Sequence, residues 1–98
     1  MSKVVLVDEE TGEYWFYCPG CECNHRFWAG NKSSCVPNWD FNGDADKPTI
    51  SPSHRVIGGN EHGRTVCHSF IKDGQIQYLN DCTHQLTGQT VRMEDFNI

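Results

Sequence analysis

The run Cys18-Pro19-Gly20-Cys21 constrains this chain more than any other feature. Two thiols separated by two residues, one a glycine, can turn tightly enough to offer both sulfurs to one ion. A thioredoxin-like dithiol would instead open a helix in a βαβ setting. Here the aromatic, strand-like Tyr14 to Tyr17 precede the pair and Glu22-Cys23-Asn24-His25 follow it, so metal ligation is the favoured reading. A closed structural zinc site draws four ligands from protein, and two more must come from farther along. Cys67-His68 begins a hairpin turning at Asp73-Gly74, and Cys82-Thr83-His84 follows its end, so the hairpin brings both segments side by side. The expected zinc ligands are Cys18, Cys21, His68 and Cys82, with Cys67 and His84 in reserve. Adjacent strand residues face apart, so Cys67 and His68 are not expected on one ion together. Cys23 and His25 are possible substitutes, and a second ion would find enough ligands. Cys35 reads as a reduced bystander, while His54 and His62 lack a partner at metal spacing.

Length explains why such a staple is expected. The 98 residues suit one domain, 1–98, and only 37% of them are hydrophobic. A core this modest often needs a cross-link or a metal. The longest aliphatic run, Val4 to Val7, is far short of the roughly 20 apolar residues of a membrane span. Asp8-Glu9-Glu10 interrupts it where a secretory signal would continue, so a cytoplasmic protein with reduced thiols is expected. The net charge is −5 and the basic residues are dispersed. That argues against phosphate-backbone binding, and for solubility and a protein partner.

The expected fold class is α+β, mainly β: a small zinc-stapled antiparallel sheet with hairpins, irregular loops and one short C-terminal helix. Lys3 to Val7 and Glu13 to Cys18 form an opening hairpin, and His25 to Trp28 a third strand. Five of the nine glycines and three of the four prolines lie between Ala29 and Arg64, which predicts loops with short strands. Within them Pro48 to Ser53 must run extended, and Trp39 and Phe41 anchor the segment. Thr65 to Lys72 and Gln75 to Leu79 flank Asp73-Gly74, a type I′ turn that pairs Ile71 with Ile76 and Phe70 with Gln77. Asp81 caps a helix through Thr87, Gly88 ends it, and Thr90 to Met93 form a last strand.

An open zinc position would make the protein a hydrolase, with Asp81 as the available general base. No His-Glu-x-x-His helix and no deaminase signature is present. A cysteine nucleophile, Cys67 or Cys82 beside a His, is conceivable, but a zinc-bound thiolate is no longer free to attack. Whether the chain is an enzyme stays open at this point, with the balance against it. A protein-binding module stabilised by zinc leads, followed by a zinc-dependent hydrolase and a nucleic-acid-binding zinc domain.

The chain carries Cys-Pro-Gly-Cys, then Pro48-Thr49-Ile50-Ser51-Pro52-Ser53, Cys67-His68-Ser69-Phe70-Ile71, and Asp81 to Thr90, in that order. On these runs it resembles a small uncharacterised Cys/His-rich zinc-binding family of tailed phages and bacteria. Members carry the label ammonia monooxygenase. That activity belongs to a membrane copper enzyme, and the label is set aside because no membrane segment is present. The resemblance implies a phage-type accessory protein acting in the bacterial host cytoplasm, with a host factor as partner. It also implies His68 and Cys82 as ligands ahead of Cys67 and His84.

Overall fold

Alternating burial organises the chain into two antiparallel sheets. The computed structural model describes residues 2–60 and 63–96. Strands β1 (Val4–Asp8), β2 (Glu13–Cys18) and β3 (Cys23–Trp28) form a meander in sequence order. Five further strands, β4 (Asp40–Phe41), β5 (Ile50–Asn60), β6 (Gly63–Lys72), β7 (Gln75–Tyr78) and β8 (Thr90–Arg92), form the second sheet, again in sequence order. The inner faces pack on each other. Val4, Phe16 and Phe27 from the first sheet share one core with Ile50, Ile71, Ile76 and Tyr78 from the second. Phe41 stands edge-on to both Tyr14 and Phe27, with ring centroids 5.0 and 5.6 Å apart, so the predicted aromatic anchor joins the two sheets.

The Asp73-Gly74 turn has positive φ at both residues, 52° and 77°, as a type I′ turn requires. Its register pairs Ile71 with Ile76 and Phe70 with Gln77, as the turn chemistry predicts. Two expectations change. The Gly- and Pro-rich middle contains β5, the longest strand described, where only loops with short strands were expected. Its pairing with β6 overcomes the breakers, and Pro52 falls where the ladder is irregular. Between the pairs Ile50↔Ile71 and His54↔Ser69, three β5 residues face Phe70 alone. Such a bulge re-aims side chains without ending the strand.

The C-terminal helix is the second correction, since no helix occurs among the described residues. The backbone from 79 to 83 is committed to β6 instead: Leu79 N–H donates to the His68 carbonyl at 2.9 Å, and Thr83 N–H to Val66 at 2.9 Å. Docking on β6 fixes the backbone where a helix capped at Asp81 would have to begin. Residues 84–88 follow as turns, closed by bonds such as Gln89 N–H to the Leu86 carbonyl at 3.0 Å. Among the described residues no helix is long and apolar enough to cross a membrane.

Candidate functional site

Side-chain alternation along β6 separates two chemistries. Cys67 is buried between the sheets, whereas its neighbour His68 faces outward with 22% of its side chain exposed. The inward face leads to a metal-competent cluster. The ligand atoms of Cys18, Cys21, Cys67 and His84 all lie within 4.8 Å of one another. Cys18 closes β2 and Cys21 sits in the turn after it, where Glu22 N–H donates to the Cys18 carbonyl at 2.8 Å. Gly20 between them is required by space: a Cβ there would lie 2.4 to 2.6 Å from the His84 ring. The His84 Nε2 is buried without a hydrogen-bond partner. A metal ion would instead coordinate the lone pair of that nitrogen.

Electrostatics within the cluster favour a cation. The Cys18 thiol is pulled down to about 3, first by the hydrogen bond from Cys67, with help from His25, Tyr78 and the Cys21 N–H against desolvation. Cys21 is pushed up to about 12, by burial first and then by the charge on Cys18. Cys67 is held well above its ordinary range because its hydrogen bond to Cys18 needs its proton. On its own the cluster thus carries one thiolate. A divalent ion removes that limit by compensating the charge of all three sulfurs.

Two of the expected ligands, Cys18 and Cys21, lie in this cluster, and they are joined there by the reserves Cys67 and His84. His68 and Cys82 are placed outside it. The reason for His68 is strand alternation, which turns it to the opposite face from Cys67. Cys82 is occupied by that histidine's backbone: its thiol donates to the His68 carbonyl at 3.1 Å and accepts from the His68 N–H at 3.2 Å. Cys23 and Cys35 are exposed. His25 is buried beside Cys18, His54 is buried in the core, and His62 lies outside the described residues. Substitution should separate the two sets: Cys67→Ala is expected to abolish metal retention on native mass spectrometry, and Cys82→Ala to preserve it. Loss of metal from Cys82→Ala would return Cys82 to the ligand set.

On the outward face His68 bridges two residues. Its Nε2 lies 2.9 Å from the Ser53 Oγ, and its Nδ1 lies 3.0 Å from the Asp81 Oδ2. The β5 bulge places Ser53 here, one residue beyond Pro52, and the Arg55↔His68 pair fixes the register beside it. Trp39 steadies the backbone of the serine through its indole Nε1–H, which donates to the Ser53 carbonyl at 3.4 Å. Asp81, expected as a helix cap, is carried instead by the 79–83 segment docked on β6. Serine, imidazole and carboxylate therefore stand in one hydrogen-bonded line, with neither ring nitrogen wasted.

Sequence reasoning missed Ser53 altogether. The available signal was the two-residue alternation that sends Cys67 inward and leaves His68 for other work. A second signal was the stretch Val56 to Val66, which can fold back on itself and carry Ser53 toward His68. No curated protein and no solved structure matches the chain. A family model described as "Bacterial ubiquitination-like system serine protease (BubE)" matches residues 1–79, which include Ser53 and His68 and stop two residues short of Asp81. With that match covering most of its length, the chain belongs to the BubE family of bacterial ubiquitination-like system serine proteases.

Proposed function

We propose that the chain is a serine protease in which Ser53 is the nucleophile, His68 the general base and then acid, and Asp81 the group that orients the imidazole. The family match overturns the expectation of a phage-type accessory module that binds a host factor. One observation carries the catalytic reading: the Ser53–His68–Asp81 line, with contacts of 2.9 and 3.0 Å. The chain order Ser, His, Asp is no obstacle, since such triads are recognised by geometry and roles rather than by sequence order.

In this reading the Ser53 Oγ attacks the carbonyl carbon of a peptide bond while its proton passes to the His68 Nε2. The Nδ1–H meanwhile donates to Asp81, which stabilises the imidazolium without taking its proton. His68 then protonates the leaving amine as the C–N bond breaks, leaving an ester on Ser53. Water attacks that ester and gives a proton to His68, which returns it to the Ser53 Oγ as the acyl C–O bond breaks and the carboxylic product leaves.

The cluster of Cys18, Cys21, Cys67 and His84 has the three-sulfur, one-nitrogen donor set of a structural zinc site. Zinc would act there as a folding element, on the far side of β6 from the reacting groups. It would hold Cys67 and His84, and those residues bracket His68 and Asp81 in the sequence.

Fluorophosphonate labelling followed by peptide mass mapping tests the assignment. One adduct is expected, on Ser53, with loss of labelling by at least about a hundredfold in Ser53→Ala and in His68→Ala. An unlabelled wild-type protein, or an adduct on another serine, would sink it. Cys82→Ala, which removes the thiol clamp on the His68 backbone, is expected to slow labelling several-fold with metal content unchanged. Full-speed labelling would show that Leu79 N–H alone holds His68 in place.

A further inference from the structure

A groove of about 600 Å³ runs between the edges of the two sheets, starting at His54, the residue after Ser53. Four consecutive β5 residues, 54–57, line it, as do 24–26 and Trp28 of β3. Consecutive residues point to alternate faces, so the walls are strand edges rather than sheet faces. The β5 edge is open there, while the β3 edge is partly occupied. β3 ends its sheet, and β4 pairs with β5 only at Ile50 and Ser51. At the floor the Arg26 carbonyl accepts from the His54 ring at 2.8 Å, and the Trp28 carbonyl from the Trp39 N–H at 2.7 Å. Two lining residues adjoin the nucleophile: Trp39 donates to the Ser53 carbonyl, and His54 follows Ser53 in β5.

Its chemistry is unlike that of the rest of the protein. The chain has a net charge of −5, yet none of the described lining residues is acidic, and two of the eight basic residues, Arg26 and Arg55, line the groove. All three tryptophans of the chain line it as well. The Arg26 guanidinium lies 5.2 Å from the Trp28 ring centroid, a cation–π contact that holds this charge at the wall. Trp15 and Ile57 leave apolar surface at the rim, 37% and 46% exposed.

We propose that this groove is the substrate channel of Ser53 and that it takes an extended, acidic polypeptide segment laid along the open edge of β5. The inference rests on the triad reading above and goes beyond it in naming the substrate chemistry. Open strand edges bind extended chains through main-chain hydrogen bonds, while flanking side chains select what is bound. The two arginines select carboxylates, and the tryptophans cover the apolar parts between them. A polyphosphate chain would meet the same arginines but has no main-chain N–H and C=O groups to pair with the open edge of β5. A peptide is also the ligand that the neighbouring nucleophile can cleave.

The test uses full-length Ser53→Ala protein, which binds without turnover. Three matched peptides, acidic, uncharged and basic, are titrated against it with intrinsic tryptophan fluorescence as the readout. Every tryptophan lines the groove, so occupancy is reported directly. The acidic peptide is expected to bind at least about tenfold tighter than the basic one, with a preference that shrinks as salt rises. Adding Arg26→Glu and Arg55→Glu should reverse the order, and Arg26→Gln with Arg55→Gln, the milder pair, should erase it. Equal affinity for all three peptides overturns the proposal, as does selective binding of a single-stranded oligonucleotide. Failure of wild-type Ser53 to react with fluorophosphonate would instead sink the triad reading, whatever the peptides do.

Discussion

Asp81→Asn is expected to lower the turnover rate by about two to four orders of magnitude while leaving the fold and the metal content intact. The reason is the tautomer of His68. A carboxylate at 3.0 Å from Nδ1 keeps the proton on that nitrogen and leaves Nε2 free to accept from Ser53. An asparagine can turn its amide N–H toward Nδ1, which places the ring proton on Nε2 and removes the base. The Asp81 side chain is 53% exposed, so water screens its charge, and the lower part of the range is the better expectation. Asp81→Ala, which frees the ring to choose its tautomer, should fall less far. Steady-state cleavage of a peptide bound in the groove, with circular dichroism as the control, measures both. If Asp81→Asn stays within threefold of wild type, the carboxylate is not the orienting group and the 79–83 segment serves only to complete the sheet.

Cys67→Ser is expected to cost the protein most of its stability. A structural zinc contributes on the order of 10 kcal/mol in small domains, comparable with the whole net stability of a chain this size. The core offers limited compensation: its largest fully buried side chains are few, among them Tyr78, Phe16, Phe27, Ile71 and Ile76. An ion held by the cluster would also tie the β2–β3 turn to β6 and to the 84–88 turns, segments far apart in sequence. Loss of metal should lower the melting temperature by several tens of degrees, at roughly 4 to 8 °C per kcal/mol. Treatment of the wild type with a strong chelator should reproduce that loss, and added zinc should restore it. Activity is expected to disappear in step, because His68 and Asp81 are held by the elements the cluster anchors. A protein that keeps its melting temperature after the metal is removed would leave the cluster without a structural role.

How much could be read from the residues differed by element. The opening hairpin, the Asp73-Gly74 turn and its register were legible because each depends on local chemistry: alternation, β-branching and positive φ. β5 was not legible, since Pro52, Gly58 and Gly59 argue locally for a loop and only pairing with β6 outweighs them. The metal cluster was half legible. Cys18 and Cys21 announce themselves by spacing, and the choice between Cys67 and His68 turns on which face of β6 is inward. Ser53 was hidden because its role depends on the bulge and on a histidine that strand pairing brings to it. Asp81 satisfied the local rule for a cap, and the docking of 79–83 on β6 gave it another task.

The placement of Cys67 and His68 side by side in one strand has a consequence for fidelity. Sliding β6 by a single residue would exchange its two faces, exposing the thiol to water and driving the imidazole into the interior. Both functions would fail in the same molecule. Under the proposed assignment a copy with the wrong alignment would be inert rather than a loose peptidase, so the strand carrying His68 would also vouch for the correctness of the fold around it.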